Sequence, residues 1–232
     1  EEIKPLLNKL HSQNRMIQNE MEEREKMRRE FTANVSHELK TPLTSISGFA
    51  EIMRNGLVKE EEISRFSGKI YTESQRLIHL VEDIIKLSQL DDRELAYERQ
   101  KVDLSQLVDE VVSTLAPEAS KRGIKITTDT ESVELIGIRQ ILMEMIYNLC
   151  DNAVKYNREG GAVLISLHKM GDSAALSVRD NGIGIALEEQ ARVFERFYRV
   201  DKARSRESGG TGLGLSIAQE ILKQHKGTIR ID

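Results

Sequence analysis

The stretch ISRFSGKIYTESQRLIHLVEDIIKLSQL, residues 63–90, decides the first half of the fold. Ile63, Phe66, Ile70, Leu77, Leu80, Ile84 and Leu87 recur at alternating three- and four-residue steps, and only Glu73 interrupts them. That spacing puts one apolar stripe on a helix from about Glu60 to Leu90. Asn55-Gly56 and a short polar loop, residues 58–62, separate it from an earlier helix running from about Ile3 to Met53. Leu39, Leu43, Ile46, Ala50 and Met53 give that helix its own stripe. Pro42 inside it predicts a kink or local unwinding. Two long helices and a short loop make an antiparallel hairpin. A hairpin cannot hide its apolar face alone, whereas two copies forming a four-helix bundle can, so the pattern implies a homodimer.

Nearer the start, Ile3, Leu7, Leu10, Asn14, Ile17 and Met21 form a heptad seam. It predicts an N-terminal coiled coil, with Asn14 at a position where a buried Asn sets the register of a parallel pair. The seam weakens at Arg24 and Arg28 and resumes with Phe31 and Val35. A solvated, charged single helix is the plainer alternative.

Beyond the hairpin, residues 91–101 are charged and read as an interdomain linker. Asp103 is placed to cap a helix reaching Lys121, with Leu104, Leu107, Val108, Val111, Val112 and Leu115 inward and Gly123 as the stop. Residues 124–128 alternate as a strand. Residues 138–156 are helical. Residues 163–168 and 175–179 are strands around a turn at Gly171-Asp172. A last helix spans residues 216–224, and residues 228–231 begin another strand. Helices and strands without strict alternation predict an α+β sandwich.

Composition narrows the function. Lys plus Arg is 34 and Asp plus Glu is 38, a net charge of −4, which argues against a duplex nucleic-acid binder. A single cysteine excludes an internal disulfide framework and a multi-cysteine zinc site. No apolar run approaches the ~20 residues that span a bilayer, and no secretory signal pattern is present.

Four strings carry chemistry. In Ser36-His-Glu-Leu-Lys-Thr-Pro-Leu43, His37 lies about 200° around the helix from Leu39, with Thr41 on its own face. An outward imidazole is a competent nucleophile toward phosphorus, and Glu38 is placed to hold the ring tautomer and take a proton. In residues 148–156, Asn148 and Asn152 are one helical turn apart and offer amide oxygens to a hydrated Mg²⁺, and Lys155 offers a partner to phosphate. In residues 180–185, Asp180 precedes Gly182 and Gly184, whose backbone permits close approach of a flat ligand. In residues 209–216, Gly210, Thr211, Gly212, Leu213 and Gly214 lead into a helix, an arrangement that favours anions. Arg196, Arg199, Lys202, Arg204 and Arg206 precede it. Each string has a plainer reading: a surface histidine, a polar helix face, an ordinary turn, a flexible loop beside a charge run. No Walker P-loop and no protein-kinase H-R-D or D-F-G string occurs. Cys150 reads as core, and His11, His79, His168 and His225 show no ligand spacing.

Taken together, these strings resemble the bacterial sensor histidine kinases of two-component systems. Residues 31–43 resemble that family's H box, 148–156 its N box, 180–185 its G1 box, Phe194-Glu-Arg-Phe-Tyr-Arg199 its F box and 210–214 its G2 box. The resemblance covers residue 28 onward. It implies a signalling coiled-coil helix over residues 1–30, a dimerisation and phosphotransfer domain over 31–94, and a catalytic ATP-binding domain of the gyrase/Hsp90 type over 95–232. It implies ATP and Mg²⁺ as cofactors and His37 as the phosphorylated residue. Glu38 would be the acid/base, and Thr41 would position water for dephosphorylating the partner. Asn152 would hold Mg²⁺ with Asn148 in support. Asp180 would take the adenine amino group, with Gly182 and Gly184 in its wall. Lys155, Tyr156 and Arg199 would sit near the phosphates, beside Gly210, Thr211, Gly212, Leu213 and Gly214, and residues 196–210 would be the ATP lid. The implied partners are a second copy of the chain and a response-regulator receiver domain, met by the face bearing Ser36, Lys40 and Arg54. The implied setting is cytoplasmic, on a membrane-attached parent.

The chain departs from the family pattern in three places. Gly137-Ile138 replaces the usual Gly-Asp, so the following helix loses a capping side chain worth about 1 kcal/mol. Ala186 stands where Pro is usual. The sequence stops at Asp232, where a further strand or two is expected. The rival readings are a degenerate kinase that only docks a receiver, and an ATPase or chaperone built on the same catalytic fold.

Overall fold

The computed structural model describes residues 3–91, 98–201 and 210–232, apart from the side chains of residues 3–10 and 12. Most of the expected linker, the seam side chains of Ile3, Leu7 and Leu10, and the basic residues Lys202, Arg204 and Arg206 lie outside the described residues. The chain divides into two compact units, residues 1–78 and 79–232.

The first unit is helical. α1 spans Ile3–Arg54 and α2 begins at Ile63, ending at Asp91 in the second unit. Between them, Gly56 takes a left-handed φ of 68° and Glu60–Glu62 form a 3₁₀ turn. The helical assignment of α1 continues through Pro42, so the residue expected to unwind the helix does not break it. Proline cannot donate, so the Glu38 carbonyl loses its regular helical partner. Phe49 meets Phe66 edge-on, with ring centroids 5.7 Å apart, and joins the two helices. Leu43 and Ile78 stay about half exposed, at 51% and 48%, so an apolar strip remains uncovered in the single chain.

The second unit contains β1 (Gln100–Asp103), α3 (Leu104–Lys121), β2 (Lys125–Thr130), β3 (Glu134–Gly137), α4 (Arg139–Lys155), β4 (Ala162–Met170), β5 (Ser173–Asp180) and α5 (Gly214–Gln224). β1 and β3 pair antiparallel. β2 runs parallel to β4, and β4 antiparallel to β5. The core is built from Val163, Ile165 and Leu167 of β4, Leu107, Val108 and Val111 of α3, Ile146 and Val154 of α4, and Ile217 and Ile221 of α5, all buried. Leu87 and Leu90 of α2 are buried with them. Asp103 caps α3 as expected, accepting from Ser105 N at 2.9 Å.

Three expectations need correction. The stretch read as a linker is bounded differently: Asp91 is the last residue of α2, while Gln100 and Lys101 belong to β1. α5 starts at Gly214, not Ser216. Residues 228–231 are not a strand, although their exposure still alternates; no backbone ladder pairs them among the described residues.

Candidate functional site

In the first unit, His37 projects into solvent, its side chain 74% exposed, with Nδ1 4.0 Å from a carboxylate oxygen of Glu38. Glu38 itself is mostly covered. The Arg76 guanidinium of α2 lies 3.8 Å from its other oxygen and 3.7 Å from Glu73. Glu73, the residue that interrupts the stripe, is therefore there to pair with Arg76. The sequence showed Glu73 only as a break in the stripe and did not point to Arg76; a charged residue at a core step, with an opposite charge three residues on, was the available signal. Thr41 sits one turn beyond His37, its hydroxyl donating to the His37 carbonyl at 3.2 Å.

In the second unit, α4 is the spine of a different constellation. The Asn148 side-chain oxygen abuts Gly214, where a Cβ would come within 3.2 Å of it. The Asn148 Nδ2 is buried without a protein partner. A buried amide donor normally has a partner, so this atom suits a ligand oxygen or a metal-bound water. Asn152 lies one turn on, its carbonyl accepting from Tyr156 N at 2.9 Å. Lys155 pairs with Asp151 at 2.7 Å. Burial opposes its charge, but Asp151 outweighs that and the ammonium is held above its usual range.

At the end of α4 the Tyr156 carbonyl accepts from Ile183 N at 3.2 Å. Asp180 closes β5 and accepts from Gly182 N at 2.8 Å. Gly182 presses on the Tyr156 carbonyl and Asn157 Cα, leaving no room for a Cβ. The residues read as two separate motifs, 148–156 and 180–184, are thus joined by backbone. Asn157, which the sequence reading passed over, is fully buried and donates to the Ala162 carbonyl at 3.1 Å.

The glycine loop before α5 meets the 194–199 segment. Phe197 has a left-handed φ of 67°, costly for a side chain of that size. Its N–H donates to the Gly212 carbonyl at 2.8 Å, and Gly212, at φ 75°, packs its α-carbon on the Phe197 backbone. Arg199, 9% exposed, donates to the Thr211 carbonyl at 3.3 Å. The Thr211 hydroxyl donates to Asp83 of α2 at 2.7 Å and accepts from Leu213 N at 3.2 Å. Arg199 thus supports the loop from below. Of the implied lid, residues 202–209 lie outside the described residues.

Two stretches of the chain match known families. Residues 27–93 match the family described as the His Kinase A (phospho-acceptor) domain. Residues 137–232 match the one described as histidine kinase-, DNA gyrase B-, and HSP90-like ATPase. The sensor-like histidine kinase SenX3 of Mycolicibacterium smegmatis is 42% identical over 215 residues, 92% of this chain and 56% of that protein. Among solved structures, histidine kinase ThkA in complex with response regulator protein TrrA is similar at a TM-score of 0.69 and 27% identity, covering 85% of this chain and 55% of that one. Full-length ShkA in complex with AMPPNP is similar at 0.60 and 28%, covering 82% and 40%. The chain spans about half the length of the curated relatives it matches. With both family matches in the order the motifs predict, the chain belongs to the sensor histidine kinases of two-component systems.

Proposed function

We propose that this chain is an ATP-dependent protein-histidine kinase that phosphorylates its own His37 and passes the phosphoryl group to an aspartate of a response-regulator receiver domain. One observation carries the reading: an exposed imidazole whose Nδ1 faces a carboxylate that is itself held by Arg76. With Nδ1 protonated toward Glu38, the Nε2 lone pair attacks the γ-phosphorus of ATP. The bond to the bridging oxygen breaks, ADP leaves, and Glu38 takes up the Nδ1 proton as the ring gains charge. Thr41 is assigned to the reverse duty, positioning water against a receiver acyl phosphate.

Asp180 is assigned to the adenine amino group, with Gly182 and Gly184 in its wall. Lys155, Tyr156, Arg199 and the amides of Gly210, Thr211, Gly212, Leu213 and Gly214 are assigned to the phosphates. Mg²⁺, held by Asn152 with Asn148 behind it, would neutralise phosphate charge. We assign residues 1–30 to a signalling coiled coil, 31–94 to dimerisation and phosphotransfer, and 95–232 to catalysis. The uncovered Leu43 and Ile78 favour a homodimer. We place the chain in the cytoplasm, with the parent protein attached to the membrane.

The relay is tested by loading the chain with γ-labelled ATP, removing nucleotide, and adding receiver domains. Label moving to a receiver in base-labile form supports the transfer; label that stays on the chain with every receiver contradicts it.

A further inference from the structure

Arg122 stands in the turn that ends α3, and no motif includes it. Its Nη1 donates to the Val154 carbonyl and, at 3.0 Å, to the Lys155 carbonyl; its Nη2 donates to the Asn157 carbonyl at 2.7 Å. The last carbonyls of a helix lack intrahelical partners and carry the negative end of its dipole. A guanidinium, with five donors in a fixed plane, can bridge several of them at once. Arg122 therefore ends α4 from outside, gripping carbonyls on either side of Tyr156.

The carbonyl between them, that of Tyr156, takes Ile183 N instead. The same carbonyl and Asn157 Cα are the surfaces on which Gly182 rests. Gly182 in turn holds Asp180 Oδ1 at 2.8 Å. Arg122 also fixes the far side of this loop, its own carbonyl accepting from Gly160 N at 3.0 Å. One side chain thus fixes the carbonyls that flank Tyr156, whose own carbonyl the 180–184 loop stands on.

We infer that Arg122 is a positioning residue for adenine recognition: by fixing the carbonyls of Val154, Lys155 and Asn157 it sets where Asp180 stands, and with it the preference for a purine bearing a 6-amino group. This rests on the nucleotide reading above. A guanidinium that only stabilised the fold would weaken every nucleotide alike. One that places Asp180 acts on the base in addition to any loss common to all nucleotides.

The test compares dissociation constants for ATP and inosine triphosphate, which carries a carbonyl in place of the amino group, in the native chain, Arg122→Met and Arg122→Lys. The native chain is expected to prefer ATP. Arg122→Met is expected to lose on the order of tenfold in ATP affinity with inosine triphosphate little changed, so the preference collapses. Arg122→Lys, with one point charge in place of the fork, should fall between. If Arg122→Met does not fold by circular dichroism, the Lys variant decides alone. An unchanged ATP preference in the folded variant, whether or not both affinities drop, overturns the inference and leaves the nucleotide reading standing. A native chain that binds ATP without preference also overturns it. A native chain that binds neither nucleotide instead sinks the nucleotide reading itself.

Discussion

The Thr211 hydroxyl donates to the Asp83 carboxylate at 2.7 Å, tying the last turns of α2 to the glycine loop. Burial raises the Asp83 carboxyl above its ordinary value, against the pull of Thr211, Lys86 and Lys155, with Glu144 adding to the rise. For a carboxyl raised by folding, the contribution to stability is present in full below its unfolded value and is lost as pH rises through the folded one. Asp83→Asn keeps an oxygen for Thr211 and removes the charge. It is expected to stabilise the fold at neutral pH by about 1 kcal/mol or less, seen as a higher thermal midpoint. The gain should shrink as pH falls through the raised value of the native carboxyl, which then protonates too. Melting curves of both proteins across that range check the sign.

Cys150 is 1% exposed. Burial, with the Asp151 charge beside it, pushes its thiol up to about 12. Since the thiolate is the reactive form, a thiol reagent at pH 8 is expected to leave the folded chain unlabelled and to modify one site per chain in denaturant. Time-resolved absorbance with and without urea measures both.

Ile138 caps α4 without a side-chain hydrogen bond, as the missing Asp predicted. Its own N–H is not stranded, because His225 Nε2 accepts it at 3.3 Å while Nδ1 lies 2.9 Å from the Ile221 carbonyl. His225→Leu removes both contacts and is expected to cost about 1–3 kcal/mol. Urea unfolding measures it, and His225→Gln, which retains a donor and an acceptor, should lose less.

Gly182→Ala would drive a methyl group into the Tyr156 carbonyl, Asp180 Oδ1 and Asn157 Cα. The expected cost is about 1–3 kcal/mol, with loss of nucleotide binding because Asp180 moves with the loop. Calorimetric titration with ADP on a sample shown to be folded checks it.

What the sequence revealed depended on the length of each pattern. α1, α2, α3 and α4 carry several turns of apolar spacing, and β4 carries an apolar run over residues 163–168 ended by the turn at Gly171-Asp172, so each was readable. β1 and β3 have four residues each, too few to show a period, and they stabilise each other through pairing the sequence cannot display. Strand character at 228–231 was legible as alternation, but a strand also needs a neighbour. Among site residues, His37, Asp180 and the glycines announced themselves by type and spacing. Arg122 and Asn157 did not, because their partners are backbone carbonyls that no side-chain pattern records.

The central claim is that His37 is the phosphoryl acceptor. Incubating the chain with γ-labelled ATP and Mg²⁺, beside His37→Gln, tests it most directly. Acid-labile, base-stable label on the native chain, absent from a folded His37→Gln variant, is the predicted result. Label that survives in the variant, or none on a folded and dimeric native chain, would contradict it.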